Sequence, residues 1–137
     1  TNGGALKKML LPFKMGVGGV IGSGEQYMSW VSINDAVEMI QFAITNDLIQ
    51  GPINFVTPSA ISNRKFTKTF GQVLHRPTIF PLPAFAIRIA LGEMADELLL
   101  NSIRVFPKKL VESGYEFLQP ELSQALDHLT KADACKV

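Results

Sequence analysis

The sequence predicts an α/β fold of several helices with few, short strands, and predicts that it is part of a larger α/β structure. Helical and strand-like segments alternate along the chain, and the strand candidates are isolated and too short to be stable without neighbours. The strongest helical pattern, Ile33 to Thr45, carries an apolar stripe broad enough to pack on a sheet that these strands cannot build. The opening Thr1-Asn-Gly-Gly has the look of a segment cut inside a loop, which points the same way.

Taken in order, Ala5 to Lys14 reads as a helix interrupted at Pro12, whose ring removes a backbone donor. Glycines at 16, 18, 19, 22 and 24 follow, and they let the backbone reach positive φ and let a ligand approach closely. Tyr27 to Val31 is a short strand. Ser32 stands where an N-cap belongs, with Asp35 three residues on in the place of a capping-box acid, ahead of Ile33, Ala36, Val37, Ile40 and Ile44. Pro52 to Val56 reads as an apolar strand after Gly51, and Thr57 to Ala60 as a loop. Ser62 then caps a helix with Phe66, Phe70, Val73 and Leu74 on one face.

Thr78 to Phe80 is a further strand candidate, and Pro81-Leu82-Pro83 introduces a helix from Ala84 to Leu91. That helix is apolar nearly all round except at Arg88, which implies burial on more than one side or contact with a partner. Gly92 breaks it, Asp96 to Val105 reads as helical, and Pro107 opens a helix ending before Gly114. Tyr115 to Phe117 is extended, and Pro120 to Leu129 is the final helix.

Composition narrows the class. The 137 residues are one domain's worth, and 47% hydrophobic content against 18% charged is enough to bury a sizeable core. A formal charge of +1 makes no basic field, so nucleic acid is not expected as a partner; Arg64-Lys65 and Lys108-Lys109 are pairs and not patches. Lys14, Arg88 and the prolines cut every apolar run short of the roughly 18 residues a membrane span needs, so no membrane partner is expected. The single Cys135 cannot form an internal bridge, which fits a reducing compartment: cytoplasm, or an organelle stroma or matrix.

Several chemistries are missing. Gly16-x-Gly18 begins like a dinucleotide fingerprint, but Ile21 stands at its third required position and the preceding residues look helical. No Gly-Lys-Ser/Thr loop, His-Glu-x-x-His pair or Cys-x-x-Cys pair occurs, and His75 and His128 sit in no ligand pattern, so no metal is expected. What remains is the run from Gly22 to Asn34. Gly22 and Gly24 permit close backbone approach, Ser23 and Gln26 offer hydrogen-bonding groups, and the Ile33 helix presents amides at its start suited to an anionic or hydroxyl-rich ligand. The competing reading is a plain connecting loop.

Gly3-Gly-Ala-Leu-Lys-Lys-Met-Leu-Leu-Pro-Phe13, Gly-Ser-Gly-x-Gln at 22 to 26, Ser29-Trp-Val and Asn34-Asp35 resemble the latter half of epimerase-like extended short-chain dehydrogenases. That group carries the names nucleoside-diphosphate-sugar epimerase and, in places, cell-division inhibitor. Gly51-Pro-Ile-Asn-Phe-Val-x-Pro58, Arg76-Pro-x-x-x-Pro-Leu-Pro83, Leu91-Gly-Glu-Met and Ser102-x-Arg-Val-x-Pro107 continue the match in order, and the last third is similar to the group's C-terminal domain of unknown function.

The resemblance implies residues 1–75 as the substrate-side segment, 76–130 as the family-specific helical domain and 131–137 as a tail. It implies NAD or NADP for the full-length enzyme and none for this chain alone. The Rossmann nucleotide core is absent, and so are catalytic residues: Tyr27 has Val31 four residues on and Tyr115 has Gln119, so neither forms the Tyr-x-x-x-Lys pair. The substrate-binding residues it implies are Gly22, Ser23, Gly24, Gln26, Trp30, Asn34 and Arg104.

The resemblance implies a small-molecule substrate, a nucleotide sugar being the family's usual one. Met28 departs from that pattern, since nucleotide-sugar relatives carry a pyrophosphate-pairing arginine there; Ser32 and Asn34 depart as well. Arg104 either supplies a replacement cation or pairs with Glu93 or Glu97, and Trp30 is either core and pocket wall or a stacking platform. Glu93, Asp96 and Glu97 read as a solvated helix face. Self-association, or association with the missing N-terminal half, is expected. The alternative function is a non-catalytic interaction module docking through Ala84 to Leu91 and Leu98 to Leu100.

Overall fold

The computed structural model describes residues 4–82 and 101–134. The expected Ala84 to Leu91 helix, the break at Gly92, the carboxylates Glu93, Asp96 and Glu97, the Leu98 to Leu100 surface and Cys135 lie outside the described residues. The described elements run α1 (Gly4–Lys14), β1 (Tyr27–Met28), α2 (Ile33–Thr45), β2 (Ile61–Ser62), α3 (Asn63–Val73), α4 (Lys108–Glu112) and α5 (Leu122–Ala134).

The core forms where α1, α3 and α5 meet. Phe66 and Phe70, one helical turn apart on α3, face Phe13 of α1 and Leu122 and Leu126 of α5, with Ile61 of β2 beneath them. The Phe13 and Phe70 rings lie 4.7 Å apart and the Phe66 and Phe70 rings 5.6 Å. Each such side chain contributes roughly 1.5–3 kcal/mol by leaving water. This anchoring explains why α1 does not stop at Pro12: the helix runs on to Lys14 with Pro12 inside it, because Phe13 at 3% exposure is held in the core.

Both serine caps are present. Ser32 Oγ accepts from Asp35 N at 3.0 Å, and Ser62 Oγ accepts from Lys65 N at 3.3 Å. The two strands pair antiparallel, with Tyr27 opposite Ser62 and Met28 opposite Ile61, and a parallel bridge joins Ile21 to Leu82.

Five expected elements differ. The strand at Tyr27 to Val31 keeps only Tyr27–Met28, because Thr57 N turns in to donate to Trp30 O at 2.8 Å and ends the ladder. Pro52 to Val56 and Thr78 to Phe80 form no strand, and the pairing beside the glycine segment is limited to the Ile21–Leu82 bridge. Residues 102–105 are extended and not helical. They lie along β1, where Ile103 N donates to Tyr27 O at 2.8 Å and Val105 N donates to Ser29 Oγ at 2.8 Å. The last helix starts at Leu122 and continues to Ala134.

The fold class stands as expected: mixed α/β, helix-rich, with a minimal sheet. The α2 stripe is where the incompleteness shows. Asp35 and Met39 are buried, whereas Ile33, Val37, Ile40 and Ile44 on the other side of the helix are exposed, Ile44 to 77%. Among the described residues no helix is long and apolar enough to cross a membrane.

Candidate functional site

The glycine loop closes on itself and on the start of α3. Gly22 N donates to Leu82 O at 3.1 Å, Gly24 N to Ile21 O at 3.1 Å, and Ile21 N to the buried Asn63 Oδ1 at 2.9 Å. Arg64 Nη2 donates to Ser23 O at 2.7 Å while its Nε pairs with Glu25 Oε1 at 3.2 Å. Gln26 Nε2 donates to Ile21 O at 3.0 Å, and Gln26 O accepts from Asn63 N. Gly24 is buried at φ +76, and a Cβ there would press on Val20 and Arg64. At Gly19 an added Cβ would collide with the Phe80 carbonyl oxygen. Gly19 and Gly24 thus serve close chain packing, Gly22 serves a positive-φ turn with open space beside it, and the amides of Gly22 and Gly24 are spent within the fold. These residues do not fit a dinucleotide cradle, which needs free amides between a strand and a helix of a βαβ unit.

The helix start behind the loop is also taken. Asp35, at 0% exposure, accepts from Ser32 Oγ at 2.9 Å, from Leu118 N at 2.8 Å and from Gln119 N at 3.0 Å. Tyr115 Oη reaches Asp35 Oδ1 at 3.3 Å. Burial, then the Asp35 charge and this hydrogen bond, then Glu38, push the Tyr115 hydroxyl up to about 12. A carboxylate of the chain itself therefore occupies the positive end of α2.

A concave pocket lies on the far side of β1. It measures about 270 Å³ and is walled by Leu6 and Met9 of α1, Met28, Trp30, Phe66 of α3, and the α5 stripe Leu122, Ala125, Leu126 and Leu129. Ser29, Val31 and Ser32 complete it. The Trp30 indole N–H donates to Ser59 O at 3.0 Å, which holds the ring as part of the wall. A second groove of about 450 Å³ runs past Pro58 to Ala60, Lys65, Arg104, Val105 and Phe106. The Arg104 guanidinium lies 3.4 Å from the Tyr27 ring centroid and has no ion pair among the described residues.

The seven residues singled out in sequence thus fall in four places. Gly22, Ser23, Gly24 and Gln26 form the loop, Trp30 forms pocket wall, and Arg104 borders the second groove. Asn34 is half-buried in the first turn of α2. Sequence reasoning missed the clamp at Asn63 and Arg64 and the α5 side of the pocket. The spacing of Leu122, Ala125, Leu126 and Leu129 was a legible helical stripe, but nothing in it names Trp30 as its neighbour. Among the described residues no group of three His, Cys, Asp or Glu is placed to hold a metal.

The architecture matches the crystal structure of human epimerase family protein SDR39U1 (isoform 2) with NADPH. The TM-score is 0.86 at 36% identity, over 95% of this chain and 44% of that one. A nucleoside-diphosphate sugar epimerase from Corynebacterium glutamicum matches at TM-score 0.64 and 28% identity, over 90% of this chain and 22% of that one. The class defined is the C-terminal part of an extended short-chain dehydrogenase fold. Residues 82–129 match the family described as domain of unknown function DUF1731. Epimerase family protein YfhF of Bacillus subtilis is 42% identical over 92% of this chain and 41% of its own length. Human epimerase family protein SDR39U1 is 36% identical over 93% of the chain and 43% of its own length. The chain is homologous to these epimerase family proteins, and it spans less than half the length of the curated relatives it matches.

Proposed function

We propose that this chain supplies the substrate-side wall of an NAD(P)-dependent epimerase-like or reductase-like enzyme, acting on a small molecule, with the nucleotide held by the other portion of the family fold. The observation that carries this reading is the Trp30 pocket. It is a formed concavity at the junction of α1, β1 and α5, in a chain whose solved neighbour was crystallised with NADPH. The exposed α2 stripe of Ile33, Val37, Ile40 and Ile44 is the surface that would seat the nucleotide-binding portion.

Complementation tests it. The chain is mixed with the nucleotide-binding portion of the human relative, and complex formation and NADPH consumption are followed against a panel of carbonyl and nucleotide-sugar substrates. The expected result is a stoichiometric complex with substrate-dependent NADPH oxidation, both lost in Ile40→Asp. A complex with no turnover on any substrate favours the second reading, a non-catalytic interaction module, which the same exposed stripe supports. No complex at all sinks both.

A further inference from the structure

Every polar side chain in the wall of the Trp30 pocket is already engaged within the fold. Ser29 Oγ accepts from Val105 N at 2.8 Å and donates to Ile103 O at 3.3 Å. Ser32 Oγ accepts from Asp35 N at 3.0 Å and donates to Asp35 Oδ2 at 2.9 Å. The Trp30 N–H is given to Ser59 O, and Trp30 O accepts from Thr57 N at 2.8 Å. The rest of the wall is Leu, Met, Phe, Val and Ala, and among the described residues no Lys, Arg, His, Asp or Glu lines it.

A hydroxyl-rich or anionic group entering such a wall gives up its water shell and finds neither donors nor a countercharge in return. A hydrocarbon group loses nothing and gains dispersion contacts with Met9, Met28 and Trp30, the methionines adapting to its outline. We infer that this pocket takes the uncharged, hydrocarbon-rich part of a ligand, in the size range of a naphthyl ring system, and not a sugar or a pyrophosphate. Resting on the reading of this pocket as the substrate pocket, the inference sets the substrate class apart from the nucleotide sugars.

The test is direct binding to the 137-residue chain. Fluorescence titration compares the neutral dye N-phenylnaphthylamine with its anionic relative anilinonaphthalenesulfonate, each in competition with UDP-glucose. Leu129→Trp and Ala125→Leu fill the pocket from α5, and Ile40→Ser with Ile44→Ser removes the competing apolar surface on α2. The expected result is that the neutral dye binds about tenfold or more tightly than the sulfonate, a gap of about 1.4 kcal/mol or more. UDP-glucose leaves it in place, either filling variant expels it, and the α2 variant retains it. Equal affinity for the two dyes, displacement by UDP-glucose, or binding lost only in the α2 variant overturns the inference. If the filling variants fail to fold, the dye pair on the unaltered chain decides. No NADPH or turnover enters the measurement, so failure of the complementation leaves this result standing, and the reverse holds too.

Discussion

The Asp35 carboxylate accepts the backbone amide of Leu118 at 2.8 Å, joining the first turn of α2 to a segment 83 residues further along the chain. The neighbouring Gln119 amide and the hydroxyls of Ser32 and Tyr115 also donate to it. Asp35→Asn turns one acceptor oxygen into a donor facing another donor, at a fully buried position. The expected loss is about 1.5–3 kcal/mol of stability, measured by denaturant unfolding. A loss within experimental error would mean that residues 115–119 are held by something else.

Tyr115 carries a pH signature of the same contact. Its folded value is raised to about 12 from an unfolded value near 10, so the fold favours the neutral phenol. That contribution is fully present below about pH 10 and is lost as pH rises through about 12. Tyr115→Phe keeps the ring contacts with Phe42 and Phe117 and removes the titration. The difference in stability between the two proteins should be flat to pH 10 and shrink above it. A difference that changes between pH 5 and pH 8 would assign the effect to another group.

Thr67 is fully buried on α3, and its hydroxyl has no hydrogen-bond partner among the described residues. Thr67→Val keeps the shape and removes an unsatisfied polar atom, so thermal denaturation should show unchanged or raised stability, by up to about 1 kcal/mol. A marked loss would reveal an ordered water or partner at that hydroxyl.

The α2 stripe is expected to drive self-association of the chain when it is alone. Ile33, Val37, Ile40 and Ile44 are exposed together, and each forgoes roughly 1.5–3 kcal/mol of burial while it remains in water. Light scattering at micromolar concentration should find dimers or larger species, reduced by Ile40→Ser with Ile44→Ser. A monodisperse monomer at those concentrations contradicts the expectation.

Features set by local chemistry were legible in the sequence. The Ser32 and Ser62 caps, the bounds of α2 and the aromatic face of α3 follow from spacing of a few residues. Features that depend on distant partners were not. Pro52 to Val56 has strand composition, yet a strand exists only with a neighbour to bond. Residues 102–105 looked helical, but β1 offers Tyr27 O and Ser29 Oγ to their amides. Asp35 was legible as a helix-start acid; its capture of the Leu118 and Gln119 amides has no local sign, because backbone donors carry no side-chain signature. The closure of the glycine loop has no local sign for the same reason: Leu82 and Asn63, which occupy the amides of Gly22 and Ile21, lie far along the chain.

The central claim is a division of labour, in which this chain holds the substrate side and the nucleotide binds elsewhere in the family fold. Calorimetric titration with NADPH tests it most directly, first on the chain alone and then on the chain complemented with the nucleotide-binding portion of the human relative. The account expects no measurable heat of binding from the chain alone, because the loop amides of Gly22 and Gly24 are spent on Leu82 and Ile21, and saturable binding once the complement is present. Micromolar affinity of the unaccompanied chain for NADPH would contradict it.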